Sequence, residues 1–288
     1  MLWDYFSKDL KYQYVRLLLK DLNNAEMYYL RILRDGVDTT INSSINWINN
    51  NSDELNSLHD SNDWKDYFPG SELEEIWITL LNRNVDAGLR PLHDYYVSGG
   101  NLAYSHMSKN PVFQDSDRQA VDNLGRYVSK VITSINSELT NGLHYKIGEN
   151  IESKADYSDL LDSGVKPLHY YETINGKPVV KKSYFSPYTR CLFTAKTEYA
   201  RAVNTGLLQA YANYGVNNFD WVTSGLDNVC SDCLELEDGS PYTLDEILRL
   251  GCPYHVNCAC SVKARLPVNI HLIHNPRVVD LTPNHRGK

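Results

Sequence analysis

The chain has 288 residues and a net charge of −8, with 42% hydrophobic and 22% charged residues. This length suffices for one large domain or two ordinary ones, and the composition is that of a globular protein with a packed core. The acidic balance argues against binding nucleic acid through bulk electrostatics, because that mode needs a basic face. The 21 tyrosines, against 6 phenylalanines, suit contacts with other proteins and ordinary cores equally well.

The N-terminal residues 1–20 do not have the pattern of a targeting segment. Charged residues break every apolar run there, whereas a signal peptide needs an uninterrupted apolar stretch and a cleavage site. No run in the sequence approaches the length of a membrane span. We therefore expect no membrane contact, and a protein made in a cytoplasm, where thiols stay reduced.

Helical patterns dominate the first two-thirds of the chain. A helix is predicted at about 10–33, and the Asn/Ser/Asp-rich segment 49–62 is expected to be a loop. Two stronger stripes, with apolar residues three and four apart, predict helices that face the core of a bundle. The first is expected to begin at a capping box of Ser71 with Glu74 and to end at Pro91. The two stripes are Leu73, Ile76, Trp77, Leu80, Leu81, Val85 and Leu89, and then Leu124, Tyr127, Val128, Val131, Ile132, Ile135, Leu139 and Leu143.

The pattern changes near residue 153. Two β-prone runs, 169–174 and 179–184, flank Asn175-Gly176, a dipeptide that favours a tight hairpin turn because both positions need positive φ. A helix is then predicted from about Pro187 to Tyr214, where Gly215 ends it. Short strand-like pieces follow at 219–222 and 261–265.

These patterns predict a mainly α (α+β) fold. We expect an N-terminal helical bundle, followed by a β-hairpin, a long helix and a small zinc-bound α/β knuckle module. The corresponding boundaries are 1–152 for the helical region, 153–266 for the hairpin, helix and zinc module, and 267–288 for a C-terminal tail. The tail has few apolar anchors and is expected to be an extended arm or disordered.

Five of the six cysteines fall between residues 230 and 260. The cluster has the form C-x2-C, twenty-one residues, then H-x2-C-x-C. Two close pairs of nitrogen and sulfur donors, each on a tight turn, are what a tetrahedral zinc ion needs. The segment between the pairs has a turn at Asp238-Gly239 and a capping box of Thr243 with Glu246, which opens a short helix at 244–250. The predicted ligands are Cys230, Cys233, His255 and Cys258.

Two further cysteines compete with this assignment. Cys252 and Cys260 flank the second pair, and either could replace His255 or Cys258; the chosen pair mirrors the spacing of the first. Disulfides and unrelated buried thiols are the alternatives to a metal, but a reducing compartment disfavours disulfides. The sixth cysteine, Cys191, lies in the preceding predicted helix and is expected to be a small buried hydrophobic residue.

The surplus of donors predicts a structural zinc rather than a catalytic one. A catalytic zinc keeps three protein ligands and an open position, whereas at least four donors are available here. A nearby general base among Glu235, Glu237 and Asp238 stays open. The chain contains no nucleophile elbow, phosphate-binding glycine loop or dinucleotide fingerprint, so no catalytic residue and no small-molecule substrate is predicted.

Several motifs in the C-terminal third resemble the Mu-F-like phage head morphogenesis family, whose members are minor head proteins of tailed bacteriophages. The order of residue types and their approximate spacing match over about residues 190–265. The chain departs from the family at Val256, where the family has proline, and at Ala259, where it has arginine. The matching residues are Thr194-Ala195-Lys196-Thr197-Glu198, Trp221, Cys230, Cys233, Leu236, Asp238-Gly239, Tyr242, and His255-Val256-Asn257-Cys258-Ala259-Cys260.

The resemblance implies a minor capsid protein of the virion, associated with the portal during head morphogenesis and DNA delivery. It implies the phage portal protein or the inner capsid shell as partner, and it leaves contact with packaged DNA open. Localisation would be the phage head, and the bacterial host cytoplasm during assembly. The competing hypotheses are a zinc-dependent hydrolase or toxin-like enzyme, and a zinc module that recognises nucleic acid.

The Thr197-Glu198 pair has two interpretations. Glu198 could pair with Arg201 on the helix surface at i+3. Alternatively, Thr197 or Glu198 supports the zinc ligands from behind.

Overall fold

The computed structural model describes residues 2–58, 67, 70–153, 155–225 and 229–283, with side chains from residue 24 onward. The chain is mainly helical with two small sheets, which confirms the coarse prediction. The helices are α1 (Leu2–Asn50), α2 (Ser52–Ser57), α3 (Glu72–His106), α4 (Asp115–Ser153), α5 (Pro187–Asn213), α6 (Ser231–Asp238) and α7 (Leu244–Leu250), with a 3-10 helix at Tyr157–Gly164. The strands are β1 (His169–Ile174), β2 (Lys177–Lys182), β3 (Phe219–Val222) and β4 (Ser261–Ala264).

Two helix boundaries differ from the prediction. Pro91 lies inside α3 and does not end it. The helix continues because the next turns bury apolar side chains, including Leu92, Tyr95 and Tyr96, and this packing outweighs the loss of one backbone hydrogen bond. The segment expected to be a loop contains the end of α1 and all of α2; its residues 59–62 lie outside the described part of the chain.

The chain forms two compact units. The first comprises Met1–Tyr29, Leu89–Val128 and Phe193–Lys288, and the second comprises Leu30–Gly88 and Ser129–Leu192. The four long helices, α1, α3, α4 and α5, each contribute residues to both units. The division predicted from the sequence, at residues 152 and 266, stays a prediction.

In the first unit, α3 and α5 approach each other closely through glycines. A methyl group added at Gly99 would lie 1.9 Å from the carbonyl oxygen of Val203, and one added at Gly206 would lie 1.9 Å from that of Tyr96. Any side chain at these two positions would force the helices apart. Asn204 lies between Val203 and Gly206 on α5 and donates a hydrogen bond to the cysteine-rich segment, at the Cys260 carbonyl.

Each sheet is a single antiparallel pair. Strand β1 pairs with β2 through the predicted turn, where Asn175 and Gly176 both have positive φ. Strand β3 pairs with β4, so Trp221 lies opposite Val262. The sequence predicted both of these strands but not their pairing, which brings the two sides of the cysteine cluster together. Trp221 is fully buried in a core that also contains Cys233, Cys252, Cys258 and Cys260.

The segment after β4 packs against α5 without forming a helix or strand. Val279 and Leu281 are buried. The Gln209 side chain accepts a hydrogen bond from the Val279 amide and donates one to the Arg277 carbonyl, and Arg201 donates one to the Leu281 carbonyl. The described part of the predicted tail is therefore an ordered extended segment. None of the helices in the described part of the chain combines the length and apolar character that crossing a bilayer would need.

Candidate metal centre

The first pair of donors lies at the start of α6. Cys230 is the N-cap residue, with extended backbone, and Cys233 lies in the first helical turn. The spacing C-x2-C therefore places both sulfurs at the N-terminal end of one helix. The backbone amide of Cys233 and, more weakly, the His255 ring lower the pKa of the Cys230 thiol, which favours the thiolate.

The second pair lies on the turn that precedes β4. Asn257 has a φ of 65°, and the amide of Cys258 donates a hydrogen bond to the carbonyl of His255 at 3.2 Å. This tight turn brings the side chains of His255 and Cys258 toward α6. Asparagine suits the position because it tolerates the left-handed conformation better than other non-glycine residues.

Three of the distances between donor atoms are close to the edges of a zinc tetrahedron. His255 Nε2 lies 3.1 Å from Cys230 Sγ and 3.3 Å from Cys233 Sγ, and the Cys233 and Cys258 sulfurs are 3.7 Å apart. Zinc bonds of about 2.3 Å to sulfur and about 2.0 Å to nitrogen would place two sulfurs about 3.8 Å apart, and a sulfur and a nitrogen about 3.5 Å apart. These three distances are close to those of a zinc site, but Cys258 is not within 4.8 Å of both Cys230 and His255, so it would have to move toward them to complete the site.

The hydrogen bond of His255 selects the nitrogen that faces the sulfurs. Its Nδ1 lies 2.8 Å from the Val256 carbonyl oxygen, which can only accept, so Nδ1 carries the proton. In the neutral ring Nε2 is then left with its lone pair, directed at Cys230 and Cys233. Metal-bound histidines commonly have this arrangement, in which the second nitrogen donates to a carbonyl.

The ionisation of the buried donors is strongly perturbed. A hydrogen bond from the Cys260 thiol, together with the Cys260 amide, lowers the pKa of Cys258 to about 5, which favours the Cys258 thiolate. Burial raises the pKa of Cys233 to about 12 in the metal-free protein. A cation between these sulfurs would favour both thiolates, because a coordinating thiol loses its proton.

The two competing cysteines are both buried beside the site. Cys260 forms a close group of donors with Cys233 and Cys258, whereas Cys230, Cys233 and His255 form the other group. Cys252 points its thiol at the Cys260 carbonyl oxygen, 3.4 Å away, and burial raises its pKa well above the usual value. The structure thus brings the four predicted ligands and Cys260 into one cluster, and the choice of four among these five stays a prediction.

Helix α5 holds the second turn from behind. The Thr197 hydroxyl accepts a hydrogen bond from the Asn257 amide at 2.8 Å and donates one to the carbonyl of Phe193. Two turns further along α5, Asn204 donates to the Cys260 carbonyl at 3.0 Å and accepts from the Ser261 hydroxyl. The turn that carries His255 and Cys258 is therefore fixed to a rigid helix.

Each of the two interpretations of the Thr197-Glu198 pair holds for one of its residues. Thr197 supports the turn, as one interpretation held, while Glu198 pairs with Arg201 at 2.9 Å, as the other held. The surface location expected for that ion pair is wrong, because both side chains are about 95% buried. Arg201 also stacks on the Tyr127 ring and bonds the Leu281 carbonyl, so the pair is enclosed by α4 and by the C-terminal segment.

The acidic candidates for a general base lie on α6. Glu235 and Asp238 are exposed, and Glu237 accepts a hydrogen bond from the Thr223 hydroxyl at 2.8 Å. This hydrogen bond gives Glu237 a structural role. The sequence analysis missed Asn204, one of several buried polar residues on α5, and no local signal distinguished it from the others.

Cys191 is buried at the start of α5, as predicted. Burial raises the pKa of its thiol to about 12, so it behaves as a small apolar residue. Comparisons of the chain with protein-family models, with curated proteins and with solved structures found no match.

Proposed function

We propose that the chain is a minor structural protein of a bacteriophage head, and that its C-terminal module is closed by a structural zinc ion. The observation that carries the proposal is that the motif residues shared with the Mu-F-like family meet at one centre. Thr197 bonds the turn between His255 and Cys258, and Trp221 packs in the same core as the cysteines. Residues 60 positions apart thus serve one site, which supports a common origin for the motif.

The proposed zinc ligands are Cys230, Cys233, His255 and Cys258. A zinc ion there would supply a cross-link between the start of α6 and the turn before β4. With Cys260 as a further thiol in contact with Cys258, the ion would have no open position for substrate or water. A closed site of this kind contributes folding free energy and performs no reaction.

The metal assignment is tested by elemental analysis of protein purified without added metal. We expect about one zinc per chain. Cobalt substitution should give the charge-transfer bands of thiolate ligands. Less than about a third of an equivalent, with Cys230 and Cys233 freely reactive toward thiol reagents, would overturn the assignment.

The proposed partners are the portal protein or the inner shell of the head. The acidic composition and the absence of a predicted nucleophile or phosphate site favour protein contacts over catalysis. Contact with packaged DNA is a further expectation of the family resemblance. The proposed location is the virion, with assembly in the host cytoplasm.

The functional test compares particles that carry two separate substitutions. Cys258→Ser should reduce incorporation of the protein into heads, or yield heads that package DNA but infect poorly. Glu235→Ala, at an exposed carboxylate on the adjacent helix, should leave infectivity and co-purification with the portal unchanged. If Glu235→Ala abolished infectivity in properly assembled particles, the zinc-dependent hydrolase would replace the structural proposal.

A further inference from the structure

The cysteine-rich core offers more metal donors than one tetrahedral zinc ion can bind. Cys252 and Cys260 are not among the four proposed ligands, yet both are buried in the same core as Cys233 and Cys258. Free cysteine is often a buried residue, so burial alone does not make either thiol a ligand. What distinguishes these two thiols is their position relative to the other sulfurs.

The donor atoms form two overlapping groups rather than one set of four. Cys230, Cys233 and His255 form the first group, and Cys233, Cys258 and Cys260 form the second; within each group every pair of donor atoms lies within 4.8 Å. Cys233 belongs to both groups, and its sulfur is 3.7 Å from that of Cys258. Two sulfurs bound to the same zinc ion lie about 3.8 Å apart. The sulfurs of Cys233 and Cys258 are therefore spaced so that two ions, one on each side of the pair, could share them.

Cys252 adjoins the second group of donors. Its sulfur lies 3.4 Å from the carbonyl oxygen of Cys260. Burial raises the pKa of the Cys252 thiol well above its usual value, and the nearby Cys258 and Cys233 thiols raise it further, as neighbouring sulfurs would. A rotation of the Cys252 side chain would be needed to turn its sulfur from the carbonyl toward an ion in the second group.

We propose that the cluster holds two zinc ions that share Cys233 and Cys258 as bridging thiolates. The proposal rests on the zinc site of the proposed function, whose four ligands bind the first ion. The second ion is bound by the two bridging residues together with Cys252 and Cys260. Each ion then has four protein ligands, as structural zinc requires. The shift of Cys258 toward the first group, which a single ion needs, is needed here too.

The charge balance favours a second ion in this buried position. Its two positive charges offset those of the Cys252 and Cys260 thiolates, so the ion and its two additional ligands bring no net charge into the core. This matters because burying an uncompensated charge is costly. Two buried thiols must lose their protons when the second ion binds. The second ion is therefore held more weakly than the first and is lost more readily during purification.

The experiment titrates the full-length, reduced protein with zinc, with oxygen excluded, and counts the bound ions by elemental analysis after unbound zinc has been removed. We expect two zinc ions per chain at saturation. The double variant Cys252→Ala/Cys260→Ala lacks only ligands of the second ion and should bind one; alanine avoids burying a hydroxyl group. The matched control is Cys191→Ala, which removes a buried thiol outside the cluster and should still bind two.

X-ray absorption at the zinc edge tests the bridge in the unmodified protein, so the result does not depend on how the variants fold. Two zinc ions that share a pair of sulfurs lie roughly 3 Å apart, and a zinc neighbour at that distance is expected. One ion per chain with no zinc neighbour would overturn the second site and leave the proposed function standing, whereas a chain that binds no zinc would overturn both. Two ions without this zinc–zinc distance, or two ions retained by the double variant, would also overturn the shared site.

Discussion

The hydrogen bond from the Asn257 amide to the Thr197 hydroxyl offers a direct test of how α5 supports the metal centre. Thr197→Val keeps the shape of a side chain that is 4% exposed but removes the acceptor. The amide of Asn257, an exposed residue, then loses this acceptor, and the loss of such a hydrogen bond costs about 1 kcal/mol. Because the turn carrying His255 and Cys258 loses its anchor, metal affinity should fall about tenfold, which corresponds to about 1.4 kcal/mol.

The matched control for this substitution is Thr205→Val on the same helix. Thr205 is also buried, and its hydroxyl donates to the Arg201 carbonyl one turn earlier, as that of Thr197 does to Phe193. Both variants lose the helical hydrogen bond, and only Thr197→Val loses the bond to the turn. The difference between the two variants therefore isolates the bond to Asn257.

The assay is competition for zinc with a chromophoric chelator, together with urea unfolding of both variants. Thr205→Val should bind zinc like the unmodified protein. Equal zinc affinities for the two variants would refute the argument that α5 positions the second turn. A fall in unfolding free energy that is the same for both would show that the bond to Asn257 contributes nothing to stability.

Three other perturbations follow from the same packing, each measured by thermal or urea unfolding. Gly206→Ala should destabilise the protein by about 1–3 kcal/mol because its methyl group would meet the Tyr96 carbonyl at 1.9 Å. The control is Gly125→Ala, where the added methyl group has no atom within 4 Å, and it should stabilise its helix by about 0.5–1 kcal/mol. Arg201→Met leaves the buried Glu198 carboxylate without its cation and should cost about 3–5 kcal/mol, part of which a second change, Glu198→Gln, should restore. In the metal-free protein the lowered pKa of Cys258 contributes stability that grows as the pH rises from about 5 to about 9, whereas the raised pKa of His255, which bonds the Val256 carbonyl, contributes with the opposite sign. Cys258→Ser should remove the Cys258 contribution, and an unchanged pH dependence of the unfolding free energy would contradict the assignment.

Local sequence signals located much of the fold correctly. The three-and-four stripes of Leu73–Leu89 and Leu124–Leu143 predicted parts of α3 and α4, and Thr243 with Glu246 predicted the capping box of α7. Asn175-Gly176 predicted the hairpin because the turn needs two positive φ angles, and the structure has both. Each of these signals acts over a few residues, so a short stretch of sequence contains all of the information.

Features that depend on distant partners could not be predicted in this way. Pro91 is a local signal for a helix end, but burial of the following turns overrides it. The predicted ligands were placed by spacing within each pair, whereas their approach depends on the pairing of β3 with β4 and on the anchor at Thr197. That Cys260 joins the cluster also depends on this approach.

The sequence by itself determined which residues of this protein can ligate a metal, because donor type and turn spacing are local properties. The tertiary structure alone decided that His255 approaches the sulfurs of Cys230 and Cys233, that Glu198 and Arg201 are buried, and that α5 anchors the second turn. These outcomes depend on contacts between segments tens of residues apart. Such contacts depend on the free energy of packing the whole core, which cannot be read from a short stretch of sequence.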